Sequence, residues 1–205
     1  MNKIITISRE FGSGGKELGK KLAETLGMDF YDGEIIDILA KETGMDANFI
    51  KTMDESIINN YTFKFANSFV QYSNAQSSKI DLLVHQQKVI KEIAKKGNCI
   101  IVGRGADVIL QEFNPLRLFV YANLESKLKR CLENRNEEEK LNEKQMVKKI
   151  KRIDKSRKKY YDILSNQSWG IKENYDLCIN TSNIIIEDII TPLVGYINNW
   201  FEEDK

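Results

Sequence analysis

Arg9-Glu10-Phe11-Gly12-Ser13-Gly14-Gly15-Lys16 lies between an apolar run, Ile4, Ile5 and Ile7, and a stretch of helical periodicity that opens at Glu17. A turn of this composition aims several backbone N–H groups, a helix N-terminus and one lysine at a common point, which is how proteins hold phosphate. The chemistry implied is nucleotide binding. Against the pattern G-x-x-x-x-G-K-[ST], Gly15 and Lys16 match, while Glu10 stands where the first glycine belongs and Glu17 where Ser or Thr belongs. A glycine-rich turn without a ligand is the competing reading, because glycine serves any turn that needs positive φ.

Other residues able to do chemistry fall after the predicted strands, where an α/β sheet gathers its ligands. They are Asp32 and the triplet Gly103-Arg104-Gly105. Glycines on both sides let the Arg104 guanidinium reach into a crevice, where its planar fork suits a phosphate. Arg130, Arg135 and Arg157 stand out from the charge-rich span Glu125 to Arg157. Arg130 and Arg135 flank an expected turn before a polar stretch, and a lid carrying arginines screens phosphate charge and excludes water. His85 is the one histidine, which excludes a histidine-based triad and a multi-histidine metal site.

These residues need elements to position them. Strands are predicted at Ile4 to Ser8, Cys99 to Val102, Leu116 to Tyr121 and Leu177 to Asn180, with a short one at Phe30-Tyr31. Several are near-continuous apolar runs, as in strands covered on both faces. Helical stripes lie between them: Leu18, Leu22 and Leu26, then Leu124, Leu128 and Leu132. Asn142 followed by Gln145 reads as a capping box, and Gly97 is placed to end the helix holding Leu83, Ile90 and Ile93. The segment from about 33 to 97 breaks the alternation. Its periodic pieces, including Phe49, Ile50 and Met53, read as a helical insert, with the polar piece Ser73 to Ser78 as a loop. A C-terminal stripe from Ile189 to Trp200 is expected to bend at Pro192. Strand and helix in alternation imply a parallel α/β sheet in one domain, residues 1–205, with excursions.

At 205 residues the chain can bury a sizeable core without disulfide or metal. Lys+Arg 31 against Asp+Glu 30 leaves a net charge of +1, so no global field favours nucleic acid or an anionic membrane. Cys99, Cys131 and Cys178 are an odd number at spacings unlike a metal motif and read as reduced thiols. No signal-type segment or membrane-length apolar run appears, and a cytoplasmic location is expected.

With these positions laid out, the sequence resembles cytidylate kinases, and more closely the cytidylate kinase-like branch. The similarity rests on ITISREFGSGGKELGKKLAETLG, FYDGEII, GNCIIVGRGADVIL, PLRLFVYANLESKLKRCLENR, IDKSRKKYYD and WGIKENYDLCINTS, in family order. The resemblance implies a P-loop NTPase fold: a five-stranded parallel sheet flanked by helices, a helical monophosphate-binding insert over about 33–97 and a short lid over about 130–145. It implies ATP and Mg2+ as cofactors and a nucleoside monophosphate as acceptor. Gly12, Ser13, Gly14, Gly15 and Lys16 match the ATP-phosphate loop, with Glu17 and Leu18 next to it. Arg104 matches an arginine that holds the acceptor phosphate, and Arg130 and Arg135 fall in the lid. Asp154 and Arg157 match a D-x-x-R pair that contacts the acceptor, and Asp32 lies on the acceptor side. Lys16, Arg130, Arg135 and Arg157 are the implied catalytic cations.

The departures are specific. Leu18 stands where relatives carry threonine, which leaves the magnesium ligands unassigned. Gly33 and Ile38 replace a hydroxyl residue and an arginine, and Ile150 begins the stretch where another arginine belongs, with Lys149 and Arg152 near it. Tyr61, Asn67 and Gln71 are residues of the insert available to restore selectivity. Three alternatives stand beside nucleoside monophosphate transfer. They are a kinase of another small metabolite or of an alcohol, for which Asp32 is the candidate base; a nucleotide-binding sensor without turnover; and a nucleic-acid-binding protein, which the near-zero net charge disfavours.

Overall fold

The computed structural model describes residues 2–44, 47, 50, 74–135 and 141–202. Phe49, Met53, Tyr61, Asn67, Gln71 and the centre of the expected lid, 136–140, lie outside the described residues. Five strands, β1 (Ile4–Arg9), β2 (Asp29–Tyr31), β3 (Cys99–Val102), β4 (Leu116–Tyr121) and β5 (Leu177–Asn180), form one sheet in the order β2-β3-β1-β4-β5. All neighbours are parallel, with Ile4 opposite Cys99, Ile5 opposite Leu116 and Leu118 opposite Leu177. The strands are where the apolar runs place them, because a run buried on both faces needs no alternation.

The helices are α1 (Gly15–Leu26), α2 (Glu34–Thr43), α3 (Asn74–Lys96), α4 (Ala106–Ile109), α5 (Leu124–Glu133), α6 (Glu143–Leu164) and α7 (Ile190–Glu202). Each face of the sheet carries its own apolar layer. Ile5, Ile7, Ile100, Val102 and Leu118 pack against Leu18 and Leu22 of α1 and Ile197 and Phe201 of α7. Ile4, Cys99 and Ile101 face Ile35 and Leu39 of α2 and Ile90 and Ile93 of α3. Burying one such side chain contributes about 1.5–3 kcal/mol, so the double layer fixes the sheet before any polar contact matters.

Local signals set the helix ends. Asn142 accepts from the Gln145 N–H at 3.0 Å while Gln145 accepts from the Asn142 N–H at 2.9 Å, closing a capping box on α6. Gly97, at φ 75°, ends α3. Two expectations are corrected. The polar piece Ser73 to Ser78 is helical from Asn74 onward: no glycine or proline interrupts 74–96, and the helix propagates through it. Pro192 bends nothing. It sits in the first turn of α7, where its missing N–H costs no hydrogen bond, after a 3-10 turn over Ile186–Ile189. Among the described residues no helix is long and apolar enough to cross a membrane.

Candidate active site

The β1–α1 loop is built as a phosphate loop and is held from beneath. Gly14, at φ 81°, begins α1 without a side-chain cap, so the first N–H groups of the helix point into the loop. Ser13 is buried; its Oγ donates to the Glu10 carbonyl (2.8 Å), and its own carbonyl accepts from Thr181 Oγ1 (2.7 Å). Glu10 turns its carboxylate away from the loop mouth, to Lys127 Nζ (3.1 Å) and the Ala122 N–H (3.3 Å). The Phe11 N–H donates to Asp154 Oδ1 at 2.7 Å, and Lys127 Nζ reaches the other Asp154 oxygen at 2.8 Å. The residue that occupies the first-glycine place is therefore an anchor joining β1 to α5 and α6.

Lys16, in the first turn of α1, extends its ammonium to Asp32 Oδ2 at 2.9 Å. That contact holds its pKa above the usual lysine range. Its side chain is 67% exposed, against 15% for Asp32. Glu17 points outward. Leu18 is a correction: its side chain is fully buried against the sheet, and its N–H is spent on the Gly14 carbonyl (2.9 Å), so it offers nothing to a nucleotide or a metal. The same i, i+4 stripe that predicts its burial settles the point.

Beside this loop opens a cavity of about 540 Å³ lined by residues including Arg9, Asp32, Arg104, Arg152, Arg157 and Trp169. Arg104 has φ 59° between Gly103 and Gly105, both also in the left-handed region. A bulky residue there is a genuine outlier, and such strain collects at functional sites. Its Nη1 lies 3.4 Å from Gln86 Oε1, and Gln86 in turn donates to the Tyr160 hydroxyl. Arg157 Nη1 donates to the Arg9 carbonyl at 2.8 Å. Arg9 Nη2 donates to Asp32 Oδ1 at 3.2 Å. Burial, then the guanidinium of Arg157, push Arg9 down to about 9; Asp32 pulls it back and Arg104 lowers it further. Burial likewise lowers Arg104 and Arg157, which Asp32 partly offsets. Four arginines against one carboxylate make this cavity strongly attractive to anions.

The other sequence-predicted residues lie elsewhere. Arg130 is inside α5, not at a turn; its guanidinium donates to the carbonyls of Thr181 and Ile184 (3.0 Å) and approaches the Gly12 carbonyl (3.5 Å). It braces the loop after β5 against the phosphate loop. Arg135, exposed just past the end of α5, donates to the Leu141 carbonyl (3.2 Å). Neither lines the cavity. Asp154 sits on the cavity-side helix but spends its carboxylate on Phe11 and Lys127. Ile38 packs against the core, and Ile150 is 1% exposed.

Sequence reasoning missed Arg9, Phe11, Tyr160 and Trp169. Only the strand register could have flagged Arg9: Ile7 pairs with Val102, which carries the end of β1 alongside the Gly103-Arg104 turn. Phe11 lies under two cations, Lys149 at 5.5 Å and Arg157 at 5.8 Å from its ring centre.

The model of the cytidylate kinase-like family matches residues 4–183. The chain belongs to that family. A cytidylate kinase of Methanocaldococcus jannaschii is 28% identical over 200 residues, covering 96% of this chain and 98% of that protein. A crystal structure of a protein from Eubacterium ventriosum superposes with a TM-score of 0.70 at 28% identity, over 96% of this chain and 98% of that one. A shikimate kinase from Bacteroides thetaiotaomicron shares the fold of this cytidylate kinase-like chain, with a TM-score of 0.59 at 13% identity over 97% and 99% of the two chains. The five-stranded parallel sheet flanked by helices is thus the P-loop kinase fold.

For magnesium, the loop lacks the usual hydroxyl: Glu17 is exposed and Leu18 buried. Among the described residues no group of three or more His, Cys, Asp or Glu side chains converges. The carboxylates acting on Lys16 are Asp32 and, farther off, Glu34. That set suits an ion held chiefly by substrate phosphates and water with one carboxylate.

Proposed function

We propose that this protein transfers the γ-phosphoryl group of ATP to a small anionic acceptor, with nucleoside monophosphates the first class to test. The observation that carries this is the single carboxylate, Asp32, joining the phosphate-loop lysine to an arginine-lined cavity. Donor and acceptor sites thus share one wall. Lys16 and the N–H groups of Gly14 and Gly15 hold the donor's terminal phosphates, while Arg104 and Arg157 hold the acceptor's anionic group. An acceptor phosphate is already ionised and needs no general base, so the protein contributes position and charge stabilisation. Magnesium would supply charge neutralisation on the donor's phosphates; Asp32 is the protein side chain that would share in holding it. Arg130 keeps the two loops around the donor in place.

The acceptor pocket departs from a cytidine-selecting one. Gly33 has open space where a hydroxyl would sit, Ile38 packs against the apolar core and Ile150 is buried. Two lost contacts at about 1–3 kcal/mol each reduce selection roughly 30-fold or more. Cytidine monophosphate is therefore expected to be a modest substrate, with kcat/KM below about 10⁴ M⁻¹s⁻¹. The test is ADP formation from ATP and magnesium across the ribo- and deoxyribonucleoside monophosphates. No product with any of them removes the nucleotide-kinase reading, and ATP binding without turnover on any acceptor identifies a sensor. Efficient, cytidine-selective turnover restores the plain family activity.

A further inference from the structure

We propose that Arg9 is a catalytic residue that contacts the phosphoryl group in flight, facing Lys16 across the gap that Asp32 spans. The inference rests on the phosphotransfer reading above. One Asp32 oxygen meets Lys16 at 2.9 Å and the other meets Arg9 at 3.2 Å, so the carboxylate lies between a donor-side and an acceptor-side cation. A phosphoryl group moving from the loop to the cavity would pass this gap, and Lys16 and Arg9 are the two cations that Asp32 holds on its sides.

Arg9 is held there by everything around it. Its stem lies directly against Gly15: a Cβ on that glycine would be 2.6 Å from the Arg9 Cβ. Its guanidinium fills the room left by the missing side chain of Gly103, where any Cβ would overlap it. Its carbonyl is fixed by Arg157. Both glycines are thus required by Arg9 as well as by their turns. A guanidinium locked this way loses little freedom on meeting a ligand, and its fork keeps donors beyond the one given to Asp32. In the transfer the γ-phosphorus–oxygen bond to the donor breaks with its electron pair left on ADP, and a new bond forms from the acceptor oxygen. Arg9 keeps its protons throughout and stabilises charge on the oxygens of the moving group.

The test uses steady-state turnover of ATP with magnesium, with water alone and with a nucleoside monophosphate as acceptor. In Arg9→Gln, kcat should fall by about 10- to 150-fold with KM for ATP within about twofold, the signature of a contact made in the transition state. Arg9→Lys, which keeps stem and charge, should recover part of the loss and guards against a folding defect, with melting temperature measured on both. Lys16→Ala should raise KM as well. Unchanged kcat in Arg9→Gln, or a loss expressed through KM for ATP, overturns the role of Arg9 while leaving the phosphotransfer reading intact. No turnover by the wild-type protein with water or any monophosphate removes the nucleotide-kinase reading, and the role of Arg9 falls with it.

Discussion

Replacing Lys127 by methionine tests whether the phosphate loop is held by charge from beneath. The ammonium is buried, 2.8 Å from one Asp154 oxygen and 3.1 Å from Glu10. Burial works against its charge, while Asp154 and then Glu10 favour it, and its pKa lies above the usual lysine range. Methionine keeps the length and most of the packing but leaves two carboxylates facing each other. Removing one partner of a buried pair costs about 3–5 kcal/mol. The Glu10 side chain is 27% exposed and the Asp154 side chain 16%, so Glu10 can turn to water and the expected loss is about 2–3 kcal/mol.

Urea denaturation reads this as a fall in midpoint of about 1 M at unchanged slope. The loop responds too: with Asp154 repelled, the Phe11 N–H loses its 2.7 Å partner and ADP binding weakens. Adding Asp154→Asn to Lys127→Met removes the repulsion, so the double variant should be more stable than Lys127→Met alone, with a coupling of about 1–3 kcal/mol. A loss below about 0.5 kcal/mol, or simple additivity, would refute the clamp.

Lys16→Ala should weaken ATP binding about 10- to 150-fold, the worth of a charge-assisted contact, with little change in stability because the side chain is exposed; calorimetry showing wild-type affinity would make the glycine turn only a turn. Arg104→Ala and Arg157→Ala should weaken acceptor binding much more than ATP binding, and the reverse ranking would move both to the donor side. Cys99, 1% exposed, has its thiol pushed up to about 11 by burial and, less, by Asp29. The folded state therefore holds this proton more tightly than the unfolded chain. That contribution is complete below about pH 9 and is lost as pH rises to about 11, on the order of 3 kcal/mol. Denaturation curves should fall less steeply over that range in Cys99→Val, and identical slopes would sink the assignment.

The sheet was legible because most of its strands are apolar runs too short for a helix, and the loop because three glycines and a lysine follow the first strand. What the sequence could not disclose was long-range pairing. Asp154 reads as an acceptor contact until α6 is seen crossing beneath the loop, 143 residues from Phe11. Lys127 reads as one more surface lysine of a charged helix until its burial is known. Arg9 reads as the end of a strand. Leu18 was readable both ways, as the residue after the loop and as one rung of a leucine stripe, and packing chose the second.

The departures of this chain from the general phosphate-loop pattern and from the family pattern come with partners of their own. Glu10 in a glycine's place is matched by Lys127, which draws its carboxylate away from the phosphates. Leu18 in a threonine's place joins Leu22 on the face of α1 turned to the sheet. Ile38 and Ile150 take two positive charges out of α2 and α6, while Arg9, Arg104, Arg152 and Arg157 line the cavity. Independent decay would leave unpaired charge and a cavity short of cations; among the described residues the buried Lys127 is paired and four arginines line the cavity. The pattern favours a retained phosphotransfer site over one that has lost its function. On the proposed reading, the acceptor's anionic group lies close to the phosphate loop. Such an acceptor depends less on Gly33 and Ile38, the positions where base-reading contacts are missing.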